Sequence, residues 1–198
     1  MRTHKVLAAG AAVLALGLVF LAAGQAADDK GPREEVDKLA AVAAKSPDEL
    51  QKKADAFAKN LDSLEDVMNL MKKRTRDGKS PGVGIGPTAT NAPDDGIEAR
   101  IQNMGKKSPT AAQLKKDKDD LMQMVNRTKA IAAITIAKTP KKKEGDKDPK
   151  DWKEYREEMA KQADALGKAI EAADPKAVKD AASKLNGSCT NCHGKFRD

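Results

Sequence analysis

The chain has 198 residues, the size of one ordinary domain, with 39% hydrophobic, 34% charged and only 3% aromatic residues. Helix-favouring residues such as Ala, Leu and Lys are abundant, so we expect helices rather than strands around a core poor in aromatic side chains. The formal net charge is +7, but charges of both signs are intermingled and no basic face carries interleaved aromatics, which excludes nucleic-acid binding.

The N-terminus has the pattern of a secretory signal peptide. Arg2, His4 and Lys5 form a positive region, the apolar run 6–21 follows, and small residues come next. We predict a signal peptide over residues 1–27 and a periplasmic or otherwise extracytoplasmic protein, without a stable membrane span after cleavage. The length of the apolar run leaves an uncleaved membrane anchor as the alternative.

Four cap residues that directly precede a proline mark the starts of predicted helices. Ser or Asp at the N-cap accepts hydrogen bonds from free backbone N–H groups, and proline at the first helical position has no N–H to satisfy. Glu49 adds a capping box to the first of these starts. The four pairs are Ser46-Pro47, Ser108-Pro109, Asp148-Pro149 and Asp174-Pro175.

Apolar residues recur three or four positions apart after each start, which predicts long amphipathic helices over 47–76, 109–138 and 149–172, and from 175 towards the C-terminus. Four such helices predict an all-α fold, an antiparallel four-helix bundle in a domain over residues 46–198. Residues 28–45 are expected to form an N-terminal extension with a short helix over 33–44.

A long connection, "RDGKSPGVGIGPTATNAPDDG", separates the first two predicted helices. Its glycines fit no phosphate-binding template, because they follow a helix rather than a strand. We expect a flexible or partner-facing loop here, with a short helix over 97–104 after it.

The stretch "CTNCH" contains the only two cysteines, Cys189 and Cys192, followed directly by His193. C-x-x-C-H is the attachment signature of c-type haem. Residues three apart share a face of a helix, so both thiols can reach one porphyrin edge while the adjacent histidine ligates the iron. The motif predicts one covalently bound haem c, with Cys189 and Cys192 as attachment points and His193 as an axial iron ligand.

The competing chemistries for this motif are a structural disulfide, a thiol-redox site and a metal site. A thioredoxin-like motif belongs at the start of a helix after a strand, whereas this one lies near the end of a predicted helix. A structural zinc site needs a fourth ligand, usually Cys or His, and His4, the only other histidine, leaves with the signal peptide.

The iron ligand opposite His193 is expected upstream, because five residues follow His193 and none of them can serve. Without His4, bis-histidine ligation is excluded, which leaves a methionine or no sixth ligand. The methionines of the mature chain are Met68, Met71, Met104, Met122, Met124 and Met159.

The stretch "CTNCHGKFR" at the end of a fourth helix resembles the class II cytochromes c, which comprise cytochrome c′ and its low-spin relatives. That family carries an aromatic residue three positions after the histidine and a basic residue four positions after it, where Phe196 and Arg197 stand. The resemblance covers residues 47–198, and its specific part is the C-terminal motif. It implies a four-helix bundle with haem between the helices, often as a homodimer. It also implies that Arg197 lies on the proximal side of the haem.

Low-spin members of this family take the sixth ligand from a methionine in the first helix, whereas high-spin members leave the position open and bind NO or CO. Met68 and Met71 both lie on the apolar face of the predicted helix over 47–76. Met68 lies nearer the middle of that face, in line with Leu61 and Leu64. We favour Met68 as the second metal ligand, with Met71 or an open position as alternatives. The family's arginine one turn before this ligand, which pairs with a haem propionate, is missing, because Leu64 stands there.

These features predict an electron-transfer protein rather than an enzyme, namely a monohaem cytochrome that passes single electrons between partner proteins. A gas-binding protein with five-coordinate iron is the alternative function, and a thiol-redox or scaffold protein without haem is a third. The lysine-rich run 141–150 is either a solvated loop or a docking patch for an acidic redox partner.

Overall fold

The computed structural model describes residues 30–197, which form eight helices and no β-strand. The all-α prediction is confirmed for this part of the chain, whereas the predicted signal peptide over 1–27 lies outside it. Within these residues no helix is both long and apolar enough to cross a membrane. The helices are α1 (Lys30–Lys45), α2 (Pro47–Ala58), α3 (Leu64–Asn69), α4 (Ile97–Lys106), α5 (Ala111–Lys116), α6 (Lys118–Ala137), α7 (Pro149–Glu171) and α8 (Pro175–Phe196).

The three longest helices pack side by side in the order α6, α7, α8. Helices α1 and α2 pack on α6, and α4 packs on α8. A connection of three residues makes α7 and α8 antiparallel neighbours. This arrangement is consistent with the predicted four-helix bundle, and its core contains the fully buried side chains of Leu114, Leu121, Ile131, Ile134, Leu166, Ile170, Val178 and Leu185.

The predicted starts of the last two helices are confirmed. The Asp148 carboxylate accepts a hydrogen bond from the Lys150 N–H at 2.8 Å, and proline follows it at the first position of α7. Asp174 accepts the N–H groups of Lys176 at 2.9 Å and Ala177 at 3.0 Å, at the start of α8. Both ends therefore depend on local cap chemistry that the sequence displays directly.

The turn between α7 and α8 is closed by a pair of nested backbone hydrogen bonds. The Asp174 N–H donates to the Ala169 carbonyl at 3.1 Å, and the Ala173 N–H donates to the Ile170 carbonyl at 2.9 Å. This is the Schellman pattern, in which the position after the C-cap is left-handed and usually glycine. Here Ala173 occupies it with φ of 49°. Asp174 thus ends α7 with its N–H and begins α8 with its side chain.

The prediction of one continuous helix over 47–76 is wrong. Helix α2 ends at Ala58, and a separate short helix, α3, spans Leu64–Asn69. The side chain of Ser63 accepts the Glu65 N–H at 3.0 Å and so caps a new helix instead of continuing the old one. Helix α2 does begin at Pro47, but the Ser46 side chain makes no cap hydrogen bond, so the predicted capping box is absent.

The predicted start of the second helix at Ser108-Pro109 is also wrong. The cap is Thr110, whose hydroxyl accepts the Gln113 N–H at 3.2 Å while the Gln113 side chain accepts the Thr110 N–H at 2.9 Å. This reciprocal pair is a capping box, which satisfies two backbone N–H groups at once. The Ser108 hydroxyl donates instead to the carbonyl of Pro175. The predicted helix is further divided at Asp117 into α5 and α6.

The central part of the glycine-rich connection is not the flexible or partner-facing loop that we predicted. Residues 82–86 are all buried. A Cβ atom on Gly82 would lie 2.0 Å from the backbone oxygen of Lys72, so only glycine allows this close approach of two backbone segments. Gly84, at φ of 74°, faces the side chain of Arg74. Residues 82–86 are therefore packed into the body of the protein, whereas residues 76–79 and 87–88 of the same connection are exposed.

Arginine side chains hold this loop by binding its carbonyl groups. Arg74 forms a buried ion pair with Asp95 (3.2 Å) and donates to the carbonyls of Gly86 (3.0 Å) and Thr88. Arg127 donates to the carbonyls of residues 83, 84 and 86 at 3.1–3.2 Å. Since backbone groups out of reach of water need partners, these contacts replace the hydrogen bonds that a helix or sheet would supply.

We expect Asp95→Ala to lower the free energy of unfolding by about 3 kcal/mol at pH 7, because Asp95 is fully buried and its loss leaves the Arg74 charge without a counter-ion. Urea denaturation measures this change. Asp62→Ala, at an exposed aspartate, is the matched control and should cost under about 0.5 kcal/mol. Equal effects of the two variants would contradict the role of the buried pair.

The same pair predicts a pH dependence. Burial alone would raise the pKa of Asp95, but the Thr90 N–H and the Arg74 guanidinium outweigh burial and hold that pKa below its usual range. A depressed pKa gives stability that is complete above the unfolded value of about 3.9 and is lost as the pH falls through the folded value. The difference between wild type and Asp95→Ala should therefore shrink below about pH 4.

Candidate cofactor site

The C-terminal motif lies in the last two turns of α8. Cys192 is buried, with 2% of its surface exposed, and Cys189 one turn earlier is half-buried. Both cysteines are free, so the structure contains no disulfide between them. His193 is half-buried beside them, and its carbonyl accepts the Arg197 N–H at 3.1 Å. The two thiols and the imidazole thus share one region of the helix.

This region opens into a cavity of about 670 Å³, within the size range of cofactor pockets. Five helices line it, and its floor is mainly apolar. The charged side chains Glu65, Lys72, Glu98 and Arg197 are exposed and form its rim. The other lining residues are Ser63, Leu64, Met68, Asn69, Met71, Ile101, Thr135, Trp152, Arg156, Asn186, Cys189, Cys192, His193 and Phe196.

An aromatic cluster forms one wall of the cavity, where α7 meets α8. The Phe196 ring stands edge-on to Trp152, with centroids 5.0 Å apart, and edge-on to Tyr155 at 6.2 Å. The indole N–H of Trp152 donates to the Thr135 carbonyl at 2.8 Å and so joins this wall to α6. Lys195 pairs with Asp151 on the outside of the same junction. The wall is therefore held by contacts between α7 and α8 and by the hydrogen bond from Trp152 to α6.

The electrostatic surroundings favour uncharged forms of the motif residues. Burial raises the pKa of both Cys189 and Cys192, and the nearby positive charge of Arg156 offsets part of that shift. Burial lowers the pKa of His193, and the charges of Arg156 and Arg197 lower it further. A neutral imidazole is the form that ligates a metal. Raised thiol pKa values argue against a thiol-redox site, which needs a stabilised thiolate.

The cavity brings together every residue that the sequence analysis proposed for the site. Met68 and Met71 line it together with Cys189, Cys192 and His193, and Arg197 lies exposed on its rim. The remaining methionines of the described chain do not line it. Met104, Met124 and Met159 are buried in the core, and Met122 packs against that core.

Arg156 is the lining residue that the sequence analysis missed. It is 2% exposed, and its Nε and Nη2 atoms have no hydrogen-bond partner. Its Nη1 lies 3.7 Å from the Met159 sulfur, and its guanidinium carbon lies 5.5 Å from the centroid of the Trp152 ring. The available signal was a cation between Trp152 and Met159 on the apolar face of the predicted helix over 149–172.

We expect Phe196→Ala to lower the free energy of unfolding by about 2 kcal/mol, because two edge-to-face contacts and their buried area are lost. Phe196→Leu keeps most of the apolar volume and should cost clearly less. Thermal or urea unfolding of the two variants measures the difference. An alanine variant as stable as wild type would show that the wall does not depend on this ring.

Comparison with protein-family models gives a match to the family described as cytochrome C′ over residues 95–197. The match contains α4 to α8 and the C-terminal motif, and it begins later than the resemblance over 47–198 that we described. Met68 and Met71 therefore lie outside it, and only the cavity supports them. No curated protein and no solved structure matches the chain. Because the family match covers more than half of the 198 residues, the chain belongs to the cytochrome c′ family of haem-binding c-type cytochromes.

Proposed function

We propose that this protein is an exported monohaem c-type cytochrome that transfers single electrons and is not an enzyme. In this proposal Cys189 and Cys192 hold the haem covalently, and His193 and Met68 are its iron ligands. One observation supports it above all: two free thiols, an imidazole and a methionine thioether, from helices far apart in sequence, line a single cavity of about 670 Å³.

The donor set of the cavity fits haem c. The two thiols are free and lie one helical turn apart, as attachment to two vinyl groups of one porphyrin requires. Apolar side chains such as Leu64 and Ile101 provide walls against which a flat porphyrin can pack. The unpaired donors of Arg156 suit the negative charge that haem carries on its carboxylates. Haem supplies the one-electron chemistry when bound, and the protein adjusts its potential.

His193 and Met68 have complementary roles in this proposal. The lowered pKa of His193 keeps the imidazole neutral and able to ligate. The Met68 thioether, as an iron ligand, would raise the reduction potential and leave no open position for small ligands. These properties suit an electron carrier better than a gas-binding protein.

Between the two methionines of the cavity, the packing favours Met68. Met71 is 5% exposed and belongs to the hydrophobic core, so its side chain is held by packing on other residues. Met68 is half-buried and only flanks that core. A flexible thioether at the edge of the core can turn into the cavity with little repacking.

The proposal extends to the location of the protein and its partners. The predicted signal peptide over 1–27 and the membership of a typically periplasmic family support an extracytoplasmic site. The lysine-rich run 141–150 leads into the first residues of α7, whose Trp152 lines the cavity. Residues 141–146 are exposed, so an acidic redox partner could dock there, close to the haem.

Covalent attachment can be tested in a host that matures c-type cytochromes. We expect the wild-type chain to retain one haem per molecule after denaturation and to have no titratable thiol. The double variant Cys189→Ser, Cys192→Ser should lose covalent haem entirely, because both attachment points are gone. Haem staining after denaturing electrophoresis measures this result. A wild-type chain with two titratable thiols and no stain would overturn the proposal.

The sixth ligand can be tested with a pair of matched variants. Met68→Ala should remove the near-infrared band of a methionine-ligated ferric haem and allow the reduced protein to bind CO at once. Met71→Ala removes a methionine from the same cavity and should leave both properties unchanged. The reverse outcome would assign the ligand to Met71. Immediate CO binding by the reduced wild type would favour gas binding over electron transfer.

A further inference from the structure

Arg156 is a buried cation without a buried anion. It is 2% exposed, and none of the ion pairs in residues 30–197 includes it. Its polar contacts within the protein are with weakly accepting sulfur atoms, that of Met159, which lies 3.7 Å from Nη1, and that of Cys192. The centroid of the Trp152 ring lies 5.5 Å from the guanidinium carbon, and the ring covers one face of the guanidinium. The N–H bonds of Nε and Nη2 lie in the guanidinium plane, so this ring cannot accept hydrogen bonds from them.

The other two buried arginines of the described chain have their partners within the protein. Arg74 pairs with the buried carboxylate of Asp95 and donates to loop carbonyls. Arg127 pairs with Asp37 at 2.7 Å and donates to three carbonyls. Burial of an unpaired charge is costly, so a chain that satisfies two arginines so fully is not expected to leave a third unpaired. The partner of Arg156 must come from outside the polypeptide.

The position of Arg156 identifies the chemistry of that partner. It lines the same cavity as Cys189, Cys192 and His193 of the C-terminal motif. The carboxylates nearest the cavity, Glu65 and Glu98, lie exposed on its rim. The missing group is therefore an anion within the cavity. This inference rests on the proposed function, because the haem of that proposal carries two propionate carboxylates into the same space.

We infer that Arg156 binds a propionate of the haem. A guanidinium presents parallel N–H donors that match a carboxylate, and both free atoms of Arg156, Nε and Nη2, lie on one edge of that group. The chain thereby supplies from α7 the arginine–propionate contact for which Leu64 leaves no arginine. The pair neutralises one negative charge beside the iron, which stabilises the ferrous state relative to the ferric state and raises the reduction potential.

The test uses the haem-loaded protein and two readouts that do not depend on activity. Resonance Raman spectra report the bending mode of the propionates, which shifts when a propionate loses a hydrogen bond, and a redox titration gives the midpoint potential. We expect Arg156→Gln to shift one propionate band and to lower the potential. Arg156→Lys, which keeps the charge without the planar fork, should give intermediate values.

Lys153→Gln is the matched control, because it removes one positive charge from the exposed face of α7 three residues away. It should change neither readout. An unchanged propionate band in Arg156→Gln would overturn the inference, even if the potential fell, because the arginine would then act only as a distant charge. If the glutamine variant does not accumulate, an unchanged band in Arg156→Lys decides against the inference in the same way.

Failure of this inference is distinguishable from failure of the proposed function. A wild-type protein that retains no covalent haem would defeat the function. A wild-type protein with covalent haem and a band insensitive to Arg156 would defeat only the propionate contact.

Discussion

The cavity depends on the buried ion pair between Arg74 and Asp95, because this pair joins the two segments that form one of its walls. Arg74 follows the cavity residues Met71 and Lys72, and Asp95 shortly precedes Glu98. Two backbone hydrogen bonds run alongside the pair, from residue 74 to 95 (2.7 Å) and from 98 to 71 (3.1 Å). Helix α3 has six residues and is too short to be stable alone. Its position, and that of any ligand on it, is set by this connection.

The opposite wall has a different origin. It is formed by α7 and α8, two long helices with strong caps, and an aromatic cluster closes the junction between them. The proposed attachment points therefore lie on the long helical pair, and the proposed ligand Met68 lies on the short helix that a buried salt bridge holds in place. The proposed site needs both walls, since a ligating side chain must be held by its own supporting contacts.

Much of this architecture could be predicted from the sequence, and the successes share a physical cause. Asp148 and Asp174 display cap chemistry within three residues, so α7 and α8 could be placed closely. The motif of Cys189, Cys192 and His193 is equally local. The failures involve contacts between distant residues. The burial of the loop over 82–86 depends on Arg127, more than forty residues away, and the unpaired state of Arg156 is a property of the packed fold that no local pattern reveals.

Asp174 belongs to the ends of both α7 and α8. This shared residue constrains the number of residues between the two helices as well as their composition. Its N–H closes the end of α7 while its carboxylate opens α8, so no spare residue lies between them. Each residue of an α-helix advances the side chain by about 100°. A single insertion between Arg156 and Cys189 would therefore turn both thiols out of the cavity, even if every side chain were kept. Relatives of this protein should accept deletions and insertions before α7 far more readily than within the segment from Trp152 to Phe196.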